Sequence, residues 1–416
     1  MELHPQLTLY MESKTLASAI LEKMPNIGKW QRQFILHLIP LFLSIRGRIN
    51  FMQMSRFGIY SMTTYRNNFD KPFDFLKFNT EHIKLKGSGH HVSFFDPSHI
   101  SKSGKSTFQK GYFWSGCANA MKAGIEIGGI AIGDVELHTA FHLEAKQTPN
   151  KETLAKDDKT LLKHYANLII ERKETLKTFS SYIALDAYFS KKSFTDDIVN
   201  EAELHLISRL RDDSVLYYLY DGEKTGQKGR PKIYDGKVNI KNPAMNHFKI
   251  VYEDHEKRIF SAVVYAKALD RKIKLALVQY FDQGSPKIKA TKIYFSTDLA
   301  ISAWYILWYY SLRFQIEFIY RDANQFTGLE HCQARSEEKI NFHCNMALTT
   351  VSIAKSAHYF SKPKEQRKGF SMADVKTIHH NQLLLERFFD VFAIDPNTHK
   401  NNLKVKELYN FGSIAA

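Results

Sequence analysis

From residue 90 onward the chain lays down several strand-like runs in close succession before its first long helical stretch, and this order constrains the fold most. The runs are His91–Asp96, Lys110–Asn119, Ala123–Ile132 and Val135–Ala145, with Gly133-Asp134 as one of the turns. Consecutive strands joined by tight turns predict an antiparallel meander. Beyond them the pattern predicts a helix over Lys151–Lys177, a strand Ser181–Asp186, a helix from Thr195 to Leu210 and a strand Val215–Tyr220. Thr195 suits a helix N-cap, with Asp196 and Asp197 placed to meet the positive helix end. Strands first, then alternation of helix and strand, give an α/β (mixed) class: a mixed sheet flanked by helices.

The flanks read differently. Residues 1–85 form a small helical unit, with an apolar helix over Trp30–Ile45 and two short segments, Phe51–Phe57 and Ser61–Phe69, joined at Gly58. That is a helix-turn-helix rhythm. Its last segment carries Thr63, Thr64, Arg66, Asn67 and Asn68, types that suit base edges and phosphates; Thr64, Arg66 and Asn67 are the DNA-binding candidates. Residues 221–295 read as a β-rich insertion, basic and turn-rich at first, then strand-like through Ile259–Ala266, Lys272–Tyr280 and Ala290–Phe295. Its Gly229-Arg230-Pro231-Lys232 segment resembles a minor-groove hook, with a solvated loop as the default. Ser296-Thr297-Asp298 is expected to cap a long helix reaching Phe326 and ended by Gly328. A helix over Ser336–His358, a basic linker and an amphipathic helix Met372–Phe392 follow. The expected organisation is a helical domain over 1–85, a central core over 86–220 and 296–360, an insertion over 221–295 and a helical tail over 361–416.

Composition bounds the partners. Lys and Arg total 58 against 43 acidic residues, giving +15 and a pI near 9.4. A chain this basic is expected to meet a polyanion, although charge alone does not choose among DNA, RNA and anionic lipid. The apolar stretches Phe34–Ile45 and Leu299–Leu312 fall short of the roughly 20 residues that span a bilayer, so they are expected as buried helices, with no membrane partner. Three scattered cysteines favour a reducing compartment, and no N-terminal signal is visible; a cytoplasmic setting is expected. His331-Cys332 and His343-Cys344 fit no standard zinc spacing. Gly104-Lys105-Ser106 imitates the end of a phosphate-binding loop, but the earlier glycine it needs is replaced by His99.

The acids carry more. Asp96 and Asp186 each end a short apolar run, HHVSFFD and SYIALD, where a carboxylate is exposed on a fixed backbone; a capping or turn role is the bland alternative. Farther along, Tyr310, Arg313, Glu317 and Asn324 are separated by three, four and seven residues. At about 100° per residue they lie near 0°, about −60°, −20° and −40°, with Arg321 at about +20°. A stripe of Tyr, Arg, Glu, Arg and Asn is not an apolar core face. One carboxylate between two guanidiniums and a phenol suits a metal held beside phosphates.

Tyr310-x2-Arg313-x3-Glu317-x6-Asn324 resembles the Y-x2-R-x3-E-x6-K signature of bacterial cut-and-paste insertion-sequence transposases. The surrounding text, YFSTDLAISAWYILWYYSLRFQIEFIYRDANQFTGLEHCQAR, is similar to that family's third catalytic block. FFDPSHISKSGK resembles the block around its first Asp and YIALDAYFSKK the block around its second. The resemblance covers about residues 90–360 and implies a ribonuclease H-like core with a DDE triad of Asp96, Asp186 and Glu317. It further implies two Mg²⁺ ions about 4 Å apart, for which Mn²⁺ can substitute. The implied partners are DNA, as terminal inverted repeats and target, and a second copy on paired ends; the implied location is the nucleoid of a bacterial cytoplasm. Tyr310, Arg313, Arg321 and Asn324 would grip the strand. Asn324 stands where the family has Lys, and Arg321, one turn earlier, is the candidate to supply the missing charge. A transposase-derived DNA-binding protein and a nuclease without strand transfer are the alternatives.

Overall fold

The computed structural model describes residues 9–222, 231–282, 287–361, 365, 369–396 and 398–414. Its frame is a mixed sheet of twelve strands: β1 (His91–Ser101), β2 (Gly111–Ser115), β3 (Ala120–Asp134), β4 (Thr139–Gln147), β5 (Tyr182–Ala184), β6 (His205–Leu210), β7 (Leu216–Leu219), β8 (Tyr234–Lys237), β9 (Lys249–Glu253), β10 (Lys257–Ala266), β11 (Arg271–Phe281) and β12 (Ile288–Ser296). The order is β2-β3-β1-β5-β6-β12-β11-β10-β7-β8, with β4 also on β3 and β9 on β10. β1, β5 and β6 run parallel, and the other pairings are antiparallel. The mixed α/β class expected from the strand-then-alternation pattern is the one observed.

Five helices precede the sheet: α1 (Leu9–Glu22), α2 (Lys29–Ser44), α3 (Phe51–Phe57), α4 (Met62–Asn68) and α5 (Phe75–Lys86). Between β4 and β6 lie α6 (Lys151–Lys156), α7 (Leu161–Ile170), α8 (Lys173–Lys177) and α9 (Lys192–Asp196). After β12 come α10 (Ala303–Leu312), α11 (Phe314–Asp322), α12 (Glu337–Phe360), α13 (Met372–Phe392) and α14 (His399–Tyr409). Side chains alternate across a strand, so β1 sends Val92 and Phe94 into one core and Phe95 into another. The first core joins that sheet face to α1, α2, α11 and α12. The second lies beneath α7 and continues under β10 and β11. α12 is buried along most of its length, as a helix running through a core must be.

Several expectations change. Residues 1–85 do not stand apart: α1 packs on α12 and α2 on α13, within the core that also holds Phe94 and Ile127. The insertion strands extend the main sheet beyond β6, and β7 pairs with β10, so the expected boundary at 220 cuts through one set of strands. The helix expected over Lys151–Lys177 is three short ones, because Thr160 caps a new start by accepting from Lys163 N and Asp158 turns the chain with φ 50°. Thr195 is buried inside α9 rather than capping it, and His205–Leu210 is strand; a six-residue apolar run cannot be assigned by period alone. Ser302, not Ser296-Thr297-Asp298, caps α10, since Ser296 still belongs to β12. Gly328 does end that helical stretch, in the left-handed region at φ 71°. Of the hook segment, Gly229 and Arg230 lie outside the described residues. Among the described residues no helix is long and apolar enough to cross a membrane.

Candidate active site

The chain leaves β1 for β3 and β4 on one side and returns to β5 and β6 on the other, so the order reverses between β1 and β5. A crevice opens where neighbouring connections diverge, which is where open α/β sheets place ligands. Asp96 and Asp186 are delivered to this point. Asp96 does not end its strand: it is the sixth of eleven residues in β1, opposite Gly129 of β3. The apolar run stops there because the face changes from covered core to open site, while the hydrogen-bonded ladder continues to Ser101. Asp186 follows β5 by two residues, with extended backbone. Its turn is fixed from β6, where the buried Ser208 hydroxyl donates to the Leu185 carbonyl at 2.8 Å.

α10 and α11 bring the remaining groups over that crevice. Arg313, only 6% exposed, donates from Nη1 to Glu317 Oε1 at 2.9 Å. Its guanidinium packs 4.6 Å from the Phe314 ring centre and 5.8 Å from that of Tyr310. Burial alone would lower its pKa, but Asp186, Glu317 and Asp96 hold it above the ordinary value. Asp96 is pushed up to about 7: burial is the main cause, Arg313 opposes it, and Glu317, Asp186 and Glu126 add to it. Tyr310 is raised by burial and by Asp186, against Arg313 and Arg209. Asp96, Asp186, Glu317, Arg313 and Tyr310 therefore share one electrostatic neighbourhood, with the guanidinium as its counter-charge. Among the described residues no three His, Cys, Asp or Glu side chains close into a metal-ligand cluster.

Arg321 keeps its place on the stripe, one turn beyond Glu317 within α11, whereas Asn324 lies past the end of that helix. Arg321 is exposed, pairs with Asp322 at 2.9 Å and lies over Phe318. A wide helical turn over Ala323–Thr327 then shifts the register, because i→i+5 turns carry more residues than the 3.6 assumed. Asn324 is half-buried there, and its Oδ1 is buried without a hydrogen-bond partner. In α4, Arg66 and Asn67 are exposed as a reading face requires, whereas Thr64 bonds the capping Ser61. Asn68 is committed internally, to Thr64 O and Trp30 Nε1. Of the histidine-cysteine pairs, His343 is spent on the Gly328 carbonyl at 2.7 Å and His331 takes the Ile49 N–H.

Three contributors had no clear signal in the sequence. Arg209 reaches the Tyr310 neighbourhood from β6, a strand lying where the sequence pattern predicts helix. Glu126, buried on β3 and bonded to Tyr165, adds negative charge near Asp96. Tyr320 donates to the Asp96 carbonyl at 2.7 Å, which requires a bare backbone opposite: a Cβ on Gly129 would lie 2.1 Å from the Tyr320 hydroxyl oxygen. A rigid phenol cannot swing aside, so Gly129→Ala is expected to destabilise the fold by about 1–3 kcal/mol, the usual cost of overpacking. Denaturant unfolding of Gly129→Ala alone and combined with Tyr320→Phe checks this. Recovery of part of the loss in the double variant is expected, and none would refute the contact. No protein-family model matches the chain, and no curated protein matches it.

Proposed function

We propose that the protein is a DNA transposase of the cut-and-paste DDE type, with Asp96, Asp186 and Glu317 as its catalytic carboxylates. The observation that carries this reading is their convergence on Arg313 from two neighbouring parallel strands and one helix. The order β4-β3-β1-β5-β6, three antiparallel strands followed by two parallel ones, supports a ribonuclease H-like core. Net charge of +15 supports a polyanionic substrate.

The donor set fits a hard divalent cation, since all three groups offer carboxylate oxygens. Mg²⁺ or Mn²⁺ bound there would activate a water or DNA 3′-hydroxyl and stabilise the leaving oxygen. Glu317 would exchange its Arg313 contact for that role. Arg313 would then be released to a DNA phosphate, where its planar fork gives charge and direction together. Tyr310, fixed against Tyr294 at 5.0 Å, would hold the strand in register. α4 would read sequence through Arg66 and Asn67, and two copies would pair the element's ends.

Joining decides between this activity and simple cleavage. Pre-cut duplexes ending in the terminal inverted repeats that the reading requires on either side of the gene, incubated with a supercoiled plasmid and Mg²⁺, are expected to give covalently joined products. Nicking without joining would sink the transposase reading and leave a nuclease.

A further inference from the structure

A cavity of about 540 Å³ lies among α1, α2, the turn between α3 and α4, and α13, and shares no residue with the group around Arg313. We infer that it binds a small amphipathic anion, a molecule with one acidic head on an apolar aliphatic or aromatic body. The inference does not depend on the proposed activity. A cavity of this size is typical of small-molecule sites, and the cleft between packed helices is a usual place for one. Its long wall is a single face of α2. Gln33, Leu36, His37, Pro40, Leu41 and Ser44 line it, spaced as one helical stripe. From Gln33 to Ser44, at 1.5 Å per residue, the wall runs about 16 Å.

The wall is fixed in advance of any ligand. His37 is held by the Tyr65 hydroxyl at 2.6 Å, and the turn before α4 rests on that bond: a Cβ on Gly58 would lie 2.0 Å from the Tyr65 hydroxyl oxygen and 2.8 Å from His37 Nε2. Pro40 has no N–H to meet the Leu36 carbonyl four residues earlier, so the wall also carries an acceptor without its usual helical donor. Charge decides what fits. Leu36, Leu41 and Leu383 would bury the hydroxyls and phosphates of a nucleotide without partners, which is costly. The formal charges lining the cavity are Lys14 and Arg387, and among the described residues no acidic side chain lines it. Lys14 is near enough to help draw down His37, and Arg387 reaches across the rim to the Phe57 carbonyl. Neither has an ion-pair partner among the described residues. Glu386, beside Arg387 in the chain, accepts from Gln382 at 3.1 Å. Both cations are exposed, so they stand at the mouth, where they would meet the acidic head while the apolar body lies along α2.

The test is isothermal titration of the full-length protein with decanoate and, separately, with naphthalenesulfonate, an aliphatic and an aromatic member of the class. One saturable site is expected, below the concentration at which either compound self-associates. Decyltrimethylammonium, with the same chain and the opposite charge, is expected not to bind. Lys14→Gln combined with Arg387→Gln is expected to weaken decanoate by at least about tenfold, the loss of a charged hydrogen bond, with thermal melting unchanged. Absence of saturable binding by both anions would overturn the site. Equal binding of decyltrimethylammonium by the parent protein would also overturn it, whether or not the double variant folds. So would decanoate affinity unchanged in that variant, which would move the amphiphile to the exposed apolar face of α13 at Leu384, Phe388 and Phe392.

Discussion

Glu317→Gln is expected to abolish cleavage of a transposon-end duplex, by at least about 10³-fold, while leaving DNA affinity within a few-fold of the parent protein. The magnitude follows from removing one hard ligand from a site that must neutralise several kcal/mol of developing charge. The selectivity follows from where Glu317 sits. Its side chain is 45% exposed, and among the described residues its polar contact is the 2.9 Å bond to Arg313. An amide oxygen can keep that bond, so the buried guanidinium is not left without a partner and the fold is spared the penalty of an orphaned charge. Arg313→Ala should behave oppositely. It removes the counter-charge from among Asp96, Asp186 and Glu317, and should cost stability as well as activity. Gel-based cleavage, fluorescence-anisotropy binding and thermal melting on the same preparations separate these effects. Mg²⁺-dependent cleavage retained by Glu317→Gln would remove Glu317 from the triad.

How much of this was readable in advance depends on how local each determinant is. Tyr310, Arg313 and Glu317 lie within two turns of one helical path, so spacing alone puts them together, and the Arg313–Glu317 bond is a simple i,i+4 contact. Asp96 was recognisable as an acid after an apolar run. Its true place inside β1 was not, because hydrophobic patterning reports which face is covered and says nothing of where backbone pairing stops. Asn324 sits in an i→i+5 turn, an irregularity that a fixed 100° step cannot anticipate. The Gly129–Tyr320 fit joins residues far apart in the chain, and Gly129 looks like any strand glycine until the phenol above it is known. The separateness of residues 1–85 failed for the same reason. α1 and α2 have apolar faces that a small bundle could have buried, and only the tertiary arrangement reveals that α12 and α13 cover them. Local periodicity names elements; contacts between distant elements choose domains.

Those distant contacts make the second large effect, a steep loss of stability on mild acidification. Five histidines are held neutral by burial, chiefly where the helices meet each other and the sheet. His37, His142, His343 and His379 are drawn down to about 4, and His82 to about 3. Burial is the cause in each and outweighs the rings' bonds: His37 to the Tyr65 hydroxyl and His82 to Ser356, and His142 to Asn345, His343 to the Gly328 carbonyl and His379 to the Val375 carbonyl, the last three of which favour the charged ring. In the unfolded chain each would titrate near 6.5. The folded values are lower, so between about pH 6.5 and 4 the unfolded state binds more protons and stability falls as pH falls. The stabilising contribution is complete above about 6.5. Asp96 works the other way, since at about 7 it is protonated in the fold before it would be in the open chain, so among these six groups the net uptake on unfolding is roughly four protons. Each net proton changes stability by about 1.4 kcal/mol per pH unit, so a domain with the usual 5–15 kcal/mol is expected to unfold by about pH 5. Ordinary carboxylates, titrating near 4, are still ionised there, which isolates the histidines as the cause. Urea midpoints measured from pH 7.5 to 5 should fall steeply. In His142→Gln, which keeps a donor for Asn345 but cannot titrate, the slope should be shallower by about one proton. Midpoints that stay level across that range would show that these rings do not set the acid limit of the fold.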